Sequence, residues 1–280
     1  MNTVRALWGS AHPGPSVVVT ALAVALGVAA GLEPWRATLL GAAVLAGQLS
    51  VGISNDALDV VRDRAVGRTD KPLARGDITV RTAWIAAYVT LAAALVLSAP
   101  LGVGMLGAHA VFIGSAWAYN AGLKSTPVSI VPFLVGFGLF PSLATLSAAD
   151  PSLAAPWAWA AGAALGAAVH LTNVLPDLDD DRLTGVRGLP HRLGPRVSAV
   201  LAASGIIAGA LAVLLGPVAG DVSAVSAVSW VFFAGVVAIA LATLLRVVLR
   251  PPDRTAFRLV MLAALLLAAQ MVASGEALAG

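Results

Sequence analysis

Asn55-Asp56-Ala57-Leu58-Asp59-Val60-Val61-Arg62-Asp63-Arg64 closes one long apolar run. A matching stretch, Asn173-Val174-Leu175-Pro176-Asp177-Leu178-Asp179-Asp180-Asp181-Arg182, closes another, 118 positions later. The register continues without a gap, so that Asn55, Asp59, Asp63, Arg64, Gly67, Pro72 and Gly76 recur as Asn173, Asp177, Asp181, Arg182, Gly185, Pro190 and Gly194. Seven identities in one register, drawn from polar and turn-forming residues in so apolar a chain, mark an internal repeat.

Residues spaced four apart share a helix face. Asn55, Asp59 and Asp63 therefore line one stripe, with Asp56 beside it and Gln48 upstream. His170, Asn173, Asp177 and Asp181 form the second stripe, with Asp180 near it and Asp179 pointing away. Stacked carboxylates repel one another, and two such stripes face to face call for a cation. Hard oxygen donors of this kind suit Mg²⁺, which a few carboxylates hold together with substrate phosphates. The bland alternative, two helix ends with solvated acids, does not explain a repeat kept in register.

Composition sets the setting. The chain has 280 residues, 59% of them hydrophobic and 11% charged, with a mean hydropathy of +0.91. These values exclude an ordinary soluble domain and indicate a polytopic membrane protein. Without cysteine, disulfides and thiolate metal sites are excluded. The pI near 9.9 does not point to nucleic acid, because the basic residues fall in loops between apolar runs. No cleavable signal peptide is evident; the first apolar run is one of many.

Nine apolar spans are expected, at about 16–32, 37–55, 81–99, 101–119, 127–147, 156–175, 196–218, 222–248 and 255–277. Polar loops fill 56–80 and 177–195, and Arg250-Pro251-Pro252-Asp253-Arg254 turns the chain. One orientation gathers all basic residues except Arg36 on a single face, opposite Glu33, Asp150, Asp221 and Glu276. By the positive-inside rule that face is cytoplasmic, which puts the amino terminus inside and the carboxyl terminus outside, with the plasma membrane the expected location. Trp35, Trp157, Trp159 and Trp230 are expected as interface anchors and His12 as an interfacial side chain. Gly102, Gly104 and Gly107 lie within a span and read as packing residues.

Each acidic stripe is followed by a basic loop: Arg62, Arg64, Arg68, Lys71 and Arg75 after the first, and Arg182, Arg187, His191 and Arg192 after the second. Acids that gather a divalent metal beside bases that grip phosphate describe a diphosphate site. Because it lies where apolar helices meet the cytosol, a diphosphate head on a hydrocarbon tail fits both halves. Arg68 and Lys71 are expected to face that substrate, and Arg62 and Arg75 to anchor the loop. The span residues that could orient a second substrate are Gln48, Ser54, Asn120, His170 and Asn173. His170 reads equally as a proton acceptor or a packing residue.

Asn55-Asp56-x-x-Asp59-x-x-x-Asp63 with Arg68 and Lys71-Pro72-Leu73 resembles the first aspartate-rich motif of the UbiA-type intramembrane prenyltransferase superfamily. Asp177-x-x-x-Asp181 with Gly185 and Leu193-Gly194 resembles its second, and Tyr119 and Lys124 are similar to a tyrosine and lysine that follow the family's fourth helix. The resemblance covers nearly the whole chain. It implies an all-α bundle of nine transmembrane helices around a lipid-accessible central cavity, a single domain over 1–280 with motif halves at 55–76 and 173–194. It also implies Mg²⁺-dependent transfer of a prenyl group from a prenyl diphosphate to an aromatic, quinone-precursor or lipid acceptor. Asn55, Asp56, Asp59 and Asp63 would form one metal cluster and Asp177 and Asp181 the other. Arg68, Lys71 and Lys124 would bind diphosphate, with Tyr119 and Asn173 beside them. Two residues depart from the pattern: Lys71 stands where many members have arginine, and Pro176 where many have a base. Two other readings compete: a membrane terpene cyclase built on the same site, and an ion-coupled transporter, which the acids' position at helix ends rather than mid-membrane disfavours.

Overall fold

The computed structural model describes residues 2–251, 253–274 and 278, with only the backbone described at Asp180 and Ser274. The expected Glu276, Pro252 and the carboxyl-terminal Gly280 lie outside the described residues, as does the side chain of Asp180.

Twelve α-helices follow in order: α1 (Thr3–Ser10), α2 (Pro13–Ala29), α3 (Pro34–Ala65), α4 (Pro72–Arg75), α5 (Val80–Ser98), α6 (Val103–Ala121), α7 (Val131–Thr145), α8 (Pro156–Asn173), α9 (Leu178–Leu183), α10 (Leu189–Leu215), α11 (Ala227–Leu249) and α12 (Arg254–Ser274). No strand occurs among the described residues. Their starts follow from local chemistry. Proline, whose missing N–H costs nothing in a first turn, opens α2, α3, α4, α7, α8 and α10. The Thr79 hydroxyl caps α5 and that of Ser226 caps α11, each accepting an N–H three residues on.

Among the described residues a helix lies on each of the nine expected apolar runs, but fewer than nine qualify as membrane crossings. Six helices among the described residues have the length and apolarity to cross a membrane, and a seventh crossing arises if α1 and α2, bent by 70°, count as one. Helix α7 is apolar but only 15 residues long. The long helices pack in sequence into a ring that α12 closes against α2, around a core led by Leu40, Met105, Phe140, Leu143, Ile206 and Leu267. The chain ends sort onto two faces. On one, Arg36 donates to Ser147 O, 2.9 Å away, and Ala155 N donates to Leu278 O, also at 2.9 Å. On the other lie both acidic motifs and the start of α12, where Arg254 approaches Asp70.

The two motifs share a backbone turn. Arg68 N donates to Asp63 O at 2.9 Å, and Val186 N donates to Asp181 O at 2.9 Å, each across a glycine, Gly67 (φ 68°) or Gly185 (φ 83°). A left-handed glycine with a hydrogen bond closing over it is how helices of this kind stop, and only glycine takes that conformation without strain. Gly76 and Gly194 likewise match, at φ 83° and 77°.

Two boundaries differ from expectation. Helix α3 runs ten residues past the apolar span, to Ala65, so Asp56, Asp59 and Asp63 ride on helix and the loop begins at Val66. The second stripe is not one helix. Helix α8 stops at Asn173, a 3₁₀ turn spans Leu175–Asp177, and Asp181 lies on α9. Pro176 explains the break, because it cannot donate into an α-helical ladder and crowds the preceding turn.

Candidate active site

The first stripe divides into two parts. Asp56 and Asp63 are buried, at 1% and 2% exposure, behind the cavity wall. Between them sits Lys71, whose Nζ lies 3.1 Å from Asp56 Oδ1 and 2.8 Å from Asp63 Oδ2. Lys71 gets there because the loop after Gly67 doubles back and α4 restarts at Pro72. His12, at the elbow between α1 and α2, adds Nε2 at 3.1 Å from the same Asp56 oxygen. The elbow comes that close because residue 52, one helical turn before Asp56, is glycine: a Cβ there would lie 2.5 Å from Ala11 O. Gly52→Val is therefore expected to push the elbow off α3 and cost about 1–3 kcal/mol, read as a lower melting point in detergent. An unchanged melting point would show that the elbow yields freely.

The second part faces the cavity, and there the motifs cross. Arg62 donates to Asp59 Oδ2 at 2.8 Å and to Asp181 Oδ1 at 3.2 Å. Arg68 donates to Asp177 Oδ1 at 3.1 Å. Lys124 donates to Asp59 Oδ1, and His191 Nε2 lies 3.1 Å from Asp181 Oδ2. Both oxygens of Asp59 and both of Asp181 are thus paired with bases of this chain. Asp179 points outward, 94% exposed, as the helical spacing implies.

Electrostatics follow this layout. Burial opposes the charge on Lys71, but Asp56 and Asp63 more than offset it and hold its pKa above the ordinary lysine value. At Lys124 burial wins over the pull of Asp59, and the pKa lies below the ordinary value. The hydrogen bonds between Arg68 and Asp70 hold the Asp70 carboxyl well below the usual range.

A single cavity of about 360 Å³ joins these groups to an apolar bore. Asn55, Asp59, Arg62, Arg68, Lys71, Lys124, Asp177 and Asp181 line its mouth, along with Asn173. Phe112, Phe137, Phe140 and Leu165 line the middle, and Trp157 and Met271 the far end. Asn55 is oriented by donating to Asn120 Oδ1 at 2.9 Å. Tyr119 lines the wall, edge-on to Phe133 and His170. His170 is 1% exposed, and its Nε2 lies 3.0 Å from Ser129 Oγ, which places it behind the wall, packing against Tyr119.

The structure corrects three assignments. Arg62 is no loop anchor but a bridge across the site. His12 reaches Asp56 instead of resting at the interface. Trp157 closes the bore, whereas Trp35 and Trp230 are exposed as interface anchors would be. Arg62 was within reach of sequence reasoning, since it stands three residues from Asp59 on one helix. His12 was not, because its contact depends on the bend before α2.

Carboxylate and amide oxygens are the donor set that Mg²⁺ takes, and Asp56 Oδ2 is buried without a hydrogen-bond partner among the described residues. No three acids or histidines among the described residues gather tightly enough to cage a metal alone.

A family model for the UbiA prenyltransferase family matches residues 16–267. The chain is 34% identical over 192 residues to the bacteriochlorophyll synthase 33 kDa chain of Cereibacter sphaeroides, a match covering 64% of this chain and 62% of that relative's length. It is 28% identical over 218 residues to digeranylgeranylglyceryl phosphate synthase of Natronomonas pharaonis, covering 75% and 77%. Among solved structures, a UbiA homologue from Aeropyrum pernix K1 superposes with a TM-score of 0.75 at 19% identity, over 98% of this chain and 99% of that one. A UbiA homologue from Archaeoglobus fulgidus bound to GPP and Mg²⁺ gives 0.73 at 17% identity, over 96% and 97%.

Proposed function

This chain belongs to the UbiA prenyltransferase family, and from that premise we propose that it moves a prenyl group from a prenyl diphosphate to an aromatic, quinone-precursor or lipid acceptor within the membrane. The observation that carries the reading is the single cavity, charged at its mouth and apolar from Phe112 to Trp157. The diphosphate belongs at the mouth, where Arg68, Lys71 and Lys124 supply donors to its oxygens. Asn55, Asp59, Asp177 and Asp181 at the wall, with Asp56 and Asp63 behind them, would hold Mg²⁺. When bound, the metal supplies positive charge that neutralises the departing diphosphate. The bond between the prenyl carbon and the diphosphate oxygen breaks, its electron pair leaves with the diphosphate, and the acceptor's electron pair closes on that carbon as the acceptor gives up a proton. The bore excludes water from the allylic cation, and the faces of Phe112, Tyr119 and Phe137 suit a cation. The GPP and Mg²⁺ held by the Archaeoglobus fulgidus homologue support the donor and the metal. The name of the Natronomonas pharaonis relative supports a lipid acceptor.

Product analysis by mass spectrometry tests this. Purified protein with Mg²⁺ is offered a panel of prenyl diphosphates, with and without candidate acceptors. The expected result is a prenylated adduct and acceptor-dependent diphosphate release. A cyclic terpene as the main product, at a rate indifferent to every acceptor, would replace transfer by cyclisation.

The charge pattern supports a plasma-membrane protein with the mouth facing the cytoplasm, the amino terminus inside and, after nine crossings, the carboxyl terminus outside. Single cysteines at Thr69 and Ser223 are expected to label from opposite sides of sealed vesicles. Labelling of both from one side would refute that topology.

A further inference from the structure

Every carboxylate oxygen that Asp59 and Asp181 present at the cavity mouth is paired with a base of this chain, and one residue, Arg62, serves both acids. The bridge joins the two copies of the repeat, at 2.8 Å on the first and 3.2 Å on the second. Lys124 and His191 take the remaining oxygens. A divalent ion arriving alone must shed tightly held water and also break charge-assisted hydrogen bonds at both acids. A diphosphate changes the balance, because its oxygens are acceptors for the guanidinium and the acids are then free to take metal. Arg62 is 23% exposed and lines the cavity, so its head can turn between these partners without leaving the mouth.

We infer that Arg62 is a positioning residue that couples metal uptake to diphosphate binding: it bars a divalent ion from Asp59 and Asp181 until a diphosphate draws its guanidinium away. This rests on the diphosphate site proposed above. The coupling is reciprocal by linkage, so metal and diphosphate each tighten the other.

The test measures binding, not turnover. Mn²⁺ uptake by purified protein in nanodiscs is followed by electron paramagnetic resonance, with and without inorganic pyrophosphate. Wild-type protein is expected to bind Mn²⁺ at least about tenfold more weakly without pyrophosphate than with it. Arg62→Gln should bind Mn²⁺ alone several-fold more tightly than wild type and pyrophosphate alone more weakly, opposite shifts that a merely structural role would not produce. Arg62→Lys, which keeps the charge but not the two-pronged reach, should fall between and guards against a misfolded glutamine variant. Arg75→Gln, which removes the pair with Asp77 outside the cavity lining, should match wild type. If wild type binds Mn²⁺ with pyrophosphate and neither Arg62 variant gains affinity for Mn²⁺ alone, the inference fails and the diphosphate site stands. If wild type binds no Mn²⁺ even with pyrophosphate, the diphosphate site falls, and the inference with it.

Discussion

Asp59→Asn and Asp177→Asn should each lower turnover by about 10²- to 10³-fold while folded protein stays in the membrane. The two residues stand on opposite copies of the repeat and line one cavity mouth. Each substitution keeps shape and removes a charge where the departing diphosphate must be met. Asparagine at 59 also strips Lys124 and Arg62 of a shared partner. Diphosphate release in a coupled assay measures the loss, and Asp179→Asn, on an exposed side chain, serves as the control that keeps full rate. Chelating divalent metal should abolish turnover and added Mg²⁺ restore it. Full activity in either motif variant would remove that motif from the site.

Lys71→Met should destabilise the protein by about 3–5 kcal/mol, because it leaves Asp56 and Asp63 buried with their shared counter-charge gone. His12 alone cannot replace it, since it reaches only Asp56. The loss should appear as a lower melting point in detergent, and the double variant Lys71→Met with Asp63→Asn should recover part of it. A stability unchanged from wild type would mean that the clasp contributes nothing. The pH dependence has a definite sign. The folded-state pKa of Lys71 lies above the ordinary value of 10.5. Its contribution is therefore full below pH 10.5 and fades only as pH climbs through the raised folded value. The difference in melting point between wild type and variant should therefore shrink as pH climbs into the strongly alkaline range, and in acid it should shrink because protonated Asp56 and Asp63 no longer need a counter-charge.

Much of this architecture was legible because hydropathy and charge are strong signals in a chain that meets lipid. The nine helix positions follow the apolar runs, and the opposing stripes follow from the repeat. The end of α3 was not legible from apolarity, because the helix continues as a polar segment whose buried face is stabilised by Lys71 returning from the loop. The pairing of acids with bases escaped too. Spacing along one helix says which carboxylates align, but the partner of Asp181 comes from residue 62 through tertiary folding. Pro176 carried readable information, a helix break, that the regularity of the repeat obscured.

The matched caps over Gly67 and Gly185 give the two motifs one local scaffold, on which different side chains stand. The counterpart of Arg62 is Asp180, that of Arg68 is Val186, and that of Lys71 is Leu189. Across the centre the earlier motif supplies Arg62 and Arg68, and the later motif supplies Asp181 and Asp177. Such a division has a direction. A symmetric pair of the later half would set acids against acids across its centre, because Asp180, Val186 and Leu189 stand where the earlier half has Arg62, Arg68 and Lys71, so the balance of charge at the reacting centre depends on the earlier half.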